Sequence, residues 1–242
     1  MANPKSTFVC TECGWSTPKW VGRCGECQAW DSMQEGAAGG GRGLGVSKQV
    51  RAVKLVESSA AKPITDVSTA RVAAWSTQVG EFDRVLGGGL VPGAVVLLSG
   101  EPGVGKSTLL LEVAANTAKS GKKVLYVTGE ESVGQVRLRA ERTGALTDNL
   151  YLAAETDLST VLGQIDAVNP ELLVVDSVQT IAANEIDGAA GMPSQIREVA
   201  ANLIRVAKER SLPVILVGHV TKDGSIAGPR ALEHLVDVVC HF

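Results

Sequence analysis

Near the middle of the chain, Gly100 to Ser107 read G-E-P-G-V-G-K-S and fill every fixed position of the phosphate-binding pattern G-x-x-x-x-G-K-[ST]. The segment lies between an apolar run, Ala94-Val95-Val96-Leu97-Leu98, and a helix-like stretch from Thr108 to Lys119. This context constrains the fold more than any other feature. A strand has to stop, turn tightly and hand over to a helix whose first backbone N–H groups face into the turn. Gly100, Gly103 and Gly105 spare the backbone Cβ clashes as it wraps an anion. Lys106 brings a mobile positive charge to the β- and γ-phosphates, and the Ser107 hydroxyl can coordinate Mg²⁺. With Glu101, Pro102, Val104 and Thr108 completing the loop and the first helical turn, residues 100–108 are the expected phosphate cradle. The pattern predicts that the chain binds a nucleoside triphosphate.

From Ser76 onward, apolar strand candidates alternate with amphipathic stretches, which predicts an α/β domain over residues 75–242 built on a mostly parallel sheet. The strands are expected at Val95–Ser99, Val124–Thr128, Leu150–Leu152, Leu172–Asp176, Val214–Val217 and Val236–His241. Their near-continuous hydrophobicity suits strands covered on both faces. Helical faces are expected from Val136 and Ala140 within 133–142, from Leu158, Val161, Leu162 and Ile165 within 158–168, and from Ile196, Val199, Leu203 and Val206 within 195–209. Gly36 to Ser47 carries six glycines in twelve residues. With the weakly patterned Val50–Ala74, it makes residues 36–74 an expected flexible linker.

Residues 1–35 read as a separate small module. Cys10, Cys13, Cys24 and Cys27 form C-x2-C-x10-C-x2-C, two knuckles that can close a tetrahedral shell of four thiolates around one Zn²⁺. A disulfide framework or a redox pair competes, but paired knuckles at this spacing favour metal. The zinc is expected to be structural, since no ligand set leaves an open coordination position, and this also rules out a zinc hydrolase. Trp15, Trp20 and Trp30 are expected to cover the metal core, with base stacking the alternative. Cys240 reads as a small apolar residue in a strand.

The phosphate cradle needs an acid for Mg²⁺ and a group to orient water. Leu172-Leu173-Val174-Val175-Asp176 is an apolar strand ending in an acid, on a strand that can lie beside the cradle, and makes Asp176 the Mg²⁺ partner of Ser107. K-V-L-Y-V-T-G-E-E, Lys123 to Glu131, ends in two carboxylates and is expected to run beside the cradle's strand. Glu130 is then the residue to polarise water, with Glu131 a salt-bridge residue or, with Ser132, a favourable helix N-terminus. His219 closes V-I-L-V-G-H and reads as a γ-phosphate sensor or as a satisfied strand-end histidine. The Gly-rich loop after it carries Lys222 and Arg230 and reads as a DNA-contacting loop or a long surface turn.

The composition is that of an ordinary globular protein, 45% hydrophobic and 20% charged. No apolar stretch approaches the ~20 residues of a membrane span, and the N-terminus lacks a signal-peptide core, so a cytoplasmic protein is expected. Net charge is −3. Residues 1–62 hold eight Lys/Arg against five acids, an excess too mild to argue for nucleic acid without a local basic patch.

Several motifs converge on one family. Ser76-Thr77-Gln78, then Glu81 to Gly89 (E-F-D-R-V-L-G-G-G) and Pro92-Gly93, resemble the lead-in of RecA-type ATPases. The four-cysteine module, L-Y-V-T-G-E-E-S (Leu125–Ser132) and V-G-H-V-T-K-D-G (Val217–Gly224) narrow the resemblance to the bacterial RadA family, also called Sms. The resemblance implies a RecA-like core and an ATP-hydrolysing motor of DNA repair and recombination. It further implies binding of single-stranded and branched DNA, branch migration of recombination intermediates, RecA as a partner and a homohexameric ring. Members of that family continue into a K-N-R-F-G motif and a Lon-like domain, so a chain that stops at Phe242 is expected to be a piece of a longer protein. A KaiC-like regulatory ATPase, switching partner proteins without acting on DNA, shares the cradle and the paired glutamates and is the alternative.

Overall fold

A computed structural model of the chain describes residues 7–36, 61–66, 73–219 and 231–242. The linker expected over 36–74 falls mostly outside these residues, as do Lys222 and Arg230 with the loop that carries them. The chain divides into two compact units, Met1–Ala61 and Lys62–Phe242.

In the first unit, β1 (Thr7–Cys10) pairs antiparallel with β2 (Ser16–Thr17) on one side and β3 (Met33–Gly36) on the other. A tight turn follows β1, closed by the Gly14 N–H donating to the Cys10 carbonyl at 2.9 Å. Its buried residues among those described are Cys10, Cys24 and Ser32. Trp20 and Trp30 are 62% and 73% exposed, so they do not cover the cysteines. A unit this small offers no apolar core for two indoles to enter. Trp15 is half-buried, its ring lying where a Cβ on Gly25 would come within 3.1 Å.

The second unit holds one parallel sheet of six strands: β4 (Val95–Gly100), β5 (Val124–Thr128), β6 (Leu150–Ala154), β7 (Leu172–Asp176), β8 (Val214–His219) and β9 (Val238–His241). Their spatial order is β6-β5-β7-β8-β4-β9, and every pairing is parallel. All the strands therefore end at one rim. The order corrects an expectation. The strand leading into the two glutamates, β5, does not lie beside β4; β7 and β8 stand between them, and β8 also separates β7 from β4. Parallel crossovers leave the neighbour of a strand open, because strands apolar on both faces look alike.

Alternate strand residues feed two core layers. Val95, Leu97, Leu125, Val127, Leu173, Val175, Val214 and Leu216 pack against α4 (Leu158–Val168) and α5 (Pro193–Arg210). Val96, Leu98, Val124, Tyr126, Leu172, Val174, Ile215 and Val217 pack against α1 (Gly80–Val85) and α2 (Lys106–Lys119). On the outer side of α2, Leu111 and Ala115 meet Val136 and Ala140 of α3 (Val133–Thr143). Local signals set the helix ends. Ser132 and Gln135 form a reciprocal capping box at the start of α3, and the Asp157 carboxylate accepts the Thr160 N–H at 2.8 Å to cap α4. Gln195, 1% exposed, holds the loop before α5: it accepts from the Ala183 N–H and donates to the carbonyls of Ala183, Ile186 and Gly188. The α/β class, with a small four-cysteine module in front, is the architecture expected from the sequence.

Candidate nucleotide and metal sites

The cradle residues sit at the rim where β4 ends. Gly105 has φ of 108° and is the N-cap of α2, a left-handed position that glycine occupies without steric cost. Glu101, Pro102, Gly103 and Val104 are exposed, Ser107 is half-buried and Thr108 exposed on the first turn of α2. Lys106 is buried, its ammonium donating to the carbonyls of Gly100 at 2.9 Å and Glu101 at 2.7 Å. Burial pushes its pKa down, against the attraction of Asp176 and Glu130.

Asp176 ends β7 and is buried. The Tyr126 hydroxyl donates to its Oδ2 at 2.6 Å, and burial together with Asp176 keeps Tyr126 protonated far above the usual phenol range. The other carboxylate oxygen, Oδ1, is buried and has no hydrogen-bond partner among the described residues. A buried carboxylate oxygen left unpaired is costly unless a cation or its water shell meets it. Oδ1 is therefore an oxygen suited to a hydrated Mg²⁺, and the Ser107 hydroxyl at the start of α2 offers a second oxygen of the same kind.

Glu130 follows β5 at the same rim, at the level where Thr128 pairs with Asp176. Its Oε1 accepts from the Ser177 hydroxyl at 2.7 Å. The His219 Nε2 lies 3.0 Å from the same oxygen, close enough for an ion pair but off the line of a good hydrogen bond. His219, Ser177 and the Lys106 charge together hold the Glu130 carboxyl at about 2, against an ordinary value of 4.5. β8 is the direct neighbour of β4, and His219 pairs with Gly100. The Gln179 amide donates to the His219 carbonyl at 3.1 Å. Glu131 forms an ion pair with Arg139 at 2.6 Å.

The structure thus gathers Lys106, Asp176, Glu130 and His219 at one rim, with Ser107 on the helix beside them. Sequence reasoning missed Tyr126, Ser177 and Gln179. Tyr126 had a signal, a single hydroxyl in an otherwise apolar strand core. Ser177 and Gln179 had none, since their partners come from other crossovers.

In the first unit, the four cysteine sulfurs lie within 4.8 Å of one another. The separations are 3.7 Å for Cys10–Cys27 and 3.5 Å for Cys13–Cys24. Four thiolates at ~2.3 Å from a tetrahedral Zn²⁺ stand ~3.8 Å apart, so the set fits that ion. The Ser32 hydroxyl, 3.3 Å from Cys10 Sγ, helps bring that thiol down to about 6, and the Glu26 N–H donates to Cys24 Sγ at 3.4 Å. A backbone N–H donor such as that of Glu26 favours thiolate and orients the ligand.

A family model described as an AAA domain matches residues 61–225, more than half of the chain. The chain belongs to the AAA-domain family. A second model, a rubredoxin metal binding domain, matches residues 8–35 around the four cysteines. The chain is 53% identical over 244 residues to the DNA repair protein RadA of Mycobacterium tuberculosis (strain CDC 1551 / Oshkosh), which covers 100% of this chain and 50% of that protein. It is 53% identical to the DNA repair protein RadA of Mycolicibacterium smegmatis, over 98% of this chain and 52% of the relative. It is 46% identical to that of Bacillus subtilis (strain 168), over 100% of this chain and 52% of the relative. The resemblance read from the motifs is borne out, and the chain spans about half the length of the relatives it matches. No helix among the described residues is long and apolar enough to cross a membrane.

Proposed function

We propose that the chain is the nucleotide-hydrolysing part of an ATP-dependent DNA repair protein. The observation that carries this reading is the meeting of Lys106, Asp176, Glu130 and His219 at the rim where the phosphate cradle opens. The relatives' name, DNA repair protein, supports the process in which the hydrolysis serves.

In this reading, the amides of residues 100–108 and the Lys106 ammonium bind the triphosphate tail, and ATP is the nucleotide. Ser107 and Asp176 hold Mg²⁺, which when bound neutralises charge on the β- and γ-phosphates. Tyr126 fixes the Asp176 carboxylate by occupying Oδ2, which leaves Oδ1 as the oxygen that would hold the ion or one of its waters. Glu130 accepts a hydrogen bond from the water that attacks the γ-phosphorus. The new bond is water oxygen to phosphorus, and the bond to the β-phosphate oxygen breaks. A carboxylate held at about 2 is ionised at neutral pH, so Glu130 orients the water by accepting its hydrogen bond, and the water's proton passes to an oxygen of the departing γ-phosphate. In this reading His219, beside Glu130 and just before the segment 220–230 read from the sequence as a loop, senses the γ-phosphate. Lys222 and Arg230 in that loop are the proposed DNA-phosphate contacts.

The finer reading is a motor that binds single-stranded and branched DNA and promotes branch migration, as a hexameric ring with RecA as partner in the cytoplasm. The four-cysteine module and V-G-H-V-T-K-D-G support it over a KaiC-like switch. Lys106→Ala should lower ATP turnover by about a hundredfold or more, as for loss of a charge-stabilising donor. Turnover at the parent rate would refute the site. Single-stranded DNA should raise the ATPase rate of the full chain at low salt, and the effect should fade as salt rises. An ATPase indifferent to DNA would favour the regulatory reading.

A further inference from the structure

We propose that Ser177 is a positioning residue for hydrolysis: its buried hydroxyl fixes Glu130 by one carboxylate oxygen, so that the other faces the attacking water. This rests on the reading of Glu130 given above. Ser177 is fully buried and follows Asp176 directly. Its hydroxyl donates to Glu130 Oε1 at 2.7 Å, and the His219 Nε2 sits 3.0 Å from that same oxygen. Both contacts fall on Oε1, which turns Oε2 away from them. Of the two, the hydroxyl makes the directed bond, while the imidazole approaches off line.

The serine is itself held in place. Its carbonyl accepts the Thr180 hydroxyl at 2.7 Å and the Thr180 N–H at 3.3 Å, closing a short turn at the end of β7. Thr180 presses on the residue before Glu130: a Cβ on Gly129 would come within 1.9 Å of the Thr180 Oγ1 and 2.6 Å of its Cβ. The Gly129 N–H donates to the Asp176 carbonyl at 3.0 Å. Backbone contacts thus pin Gly129, and the Ser177 hydroxyl pins the next side chain. A free glutamate would sample several rotamers, and one charge-assisted hydrogen bond suffices to select among them.

Alanine fits the space of serine and removes only the donor, which separates positioning from packing. We expect Ser177→Ala, in the full chain, to lower kcat for ATP about tenfold, as for a lost hydrogen bond to a charged group, with nucleotide affinity unchanged. Glu130→Gln should lower kcat further. In single-turnover measurements, adding Ser177→Ala to Glu130→Gln should cost nothing more, because both act through one carboxylate. Parent-like turnover of Ser177→Ala, or an equal loss on the Glu130→Gln background, would overturn the proposal and leave Glu130 in its role. Parent-like turnover of Glu130→Gln would instead remove the reading on which it rests.

Discussion

The two units hold themselves together by opposite means. In the four-cysteine unit, the buried residues among those described are two cysteines and a serine, while Val9, Trp20 and Trp30 face solvent. In the sheet unit, strands β4, β5, β7 and β8 are buried along nearly their whole length, and helices cover both faces. One carries a four-cysteine set suited to gaining its fold from metal–thiolate bonds, the other gains its fold from apolar area removed from water. Cysteine spacing is therefore the informative signal in the first unit and hydrophobic periodicity in the second.

Metal removal should test the contrast most severely. Structural zinc sites contribute about 10–16 kcal/mol of apparent folding energy in small modules. A strong chelator should therefore release one metal per chain and abolish the structure of the first unit, leaving the main thermal transition of the sheet unit in place. Circular dichroism with tryptophan fluorescence reads both, and a core that melts with the metal would break the division. Next in size, Leu173→Ala, at a fully buried site in the centre of the sheet, should destabilise the second unit by about 2–5 kcal/mol and leave zinc affinity untouched. Denaturant melts with a parallel zinc titration would check it. The smallest effect concerns acid. Because the Glu130 carboxyl is held at about 2 against 4.5, the stability it lends is fully present above about pH 4.5 and fades as pH falls toward 2. Glu130→Gln should therefore flatten the stability loss between about pH 4.5 and 2. The side chain is 44% exposed, so solvent screening makes this change modest. An unchanged acid profile would show that the contacts on Oε1 do not hold the charge.

Much of the second unit was legible because its signals are local. The cradle, the apolar strands and the helix faces around Val136, Ile165 and Leu203 each follow from a short window of sequence, and element boundaries moved by a few residues at most. Strand order was not legible. β5 and β7 are both short apolar runs ending in acids, and nothing in either says which neighbour it takes, hence the misplacement of β5 beside β4. Glu130 and Asp176 still share a rim with Lys106, because in a parallel sheet the rim matters more than adjacency. The exposed tryptophans of the first unit were misread for the converse reason. An aromatic residue is expected inside only where there is an inside large enough to take it.

The uniform direction of the six strands separates two kinds of tolerance. Lys106 and Ser107 after β4, Glu130 after β5, Asp176 and Ser177 at the end of β7 and His219 at the end of β8 all stand where strands finish. Where they begin, the turns at Lys122, Asn169–Pro170 and Ser211 line an open cleft with Trp75 and Arg210, on the far side of the sheet from Lys106. Tags, fluorophores or grafted peptides placed at those turns would leave the chemical rim undisturbed, whereas a single added methyl at Gly129 would collide with its heart.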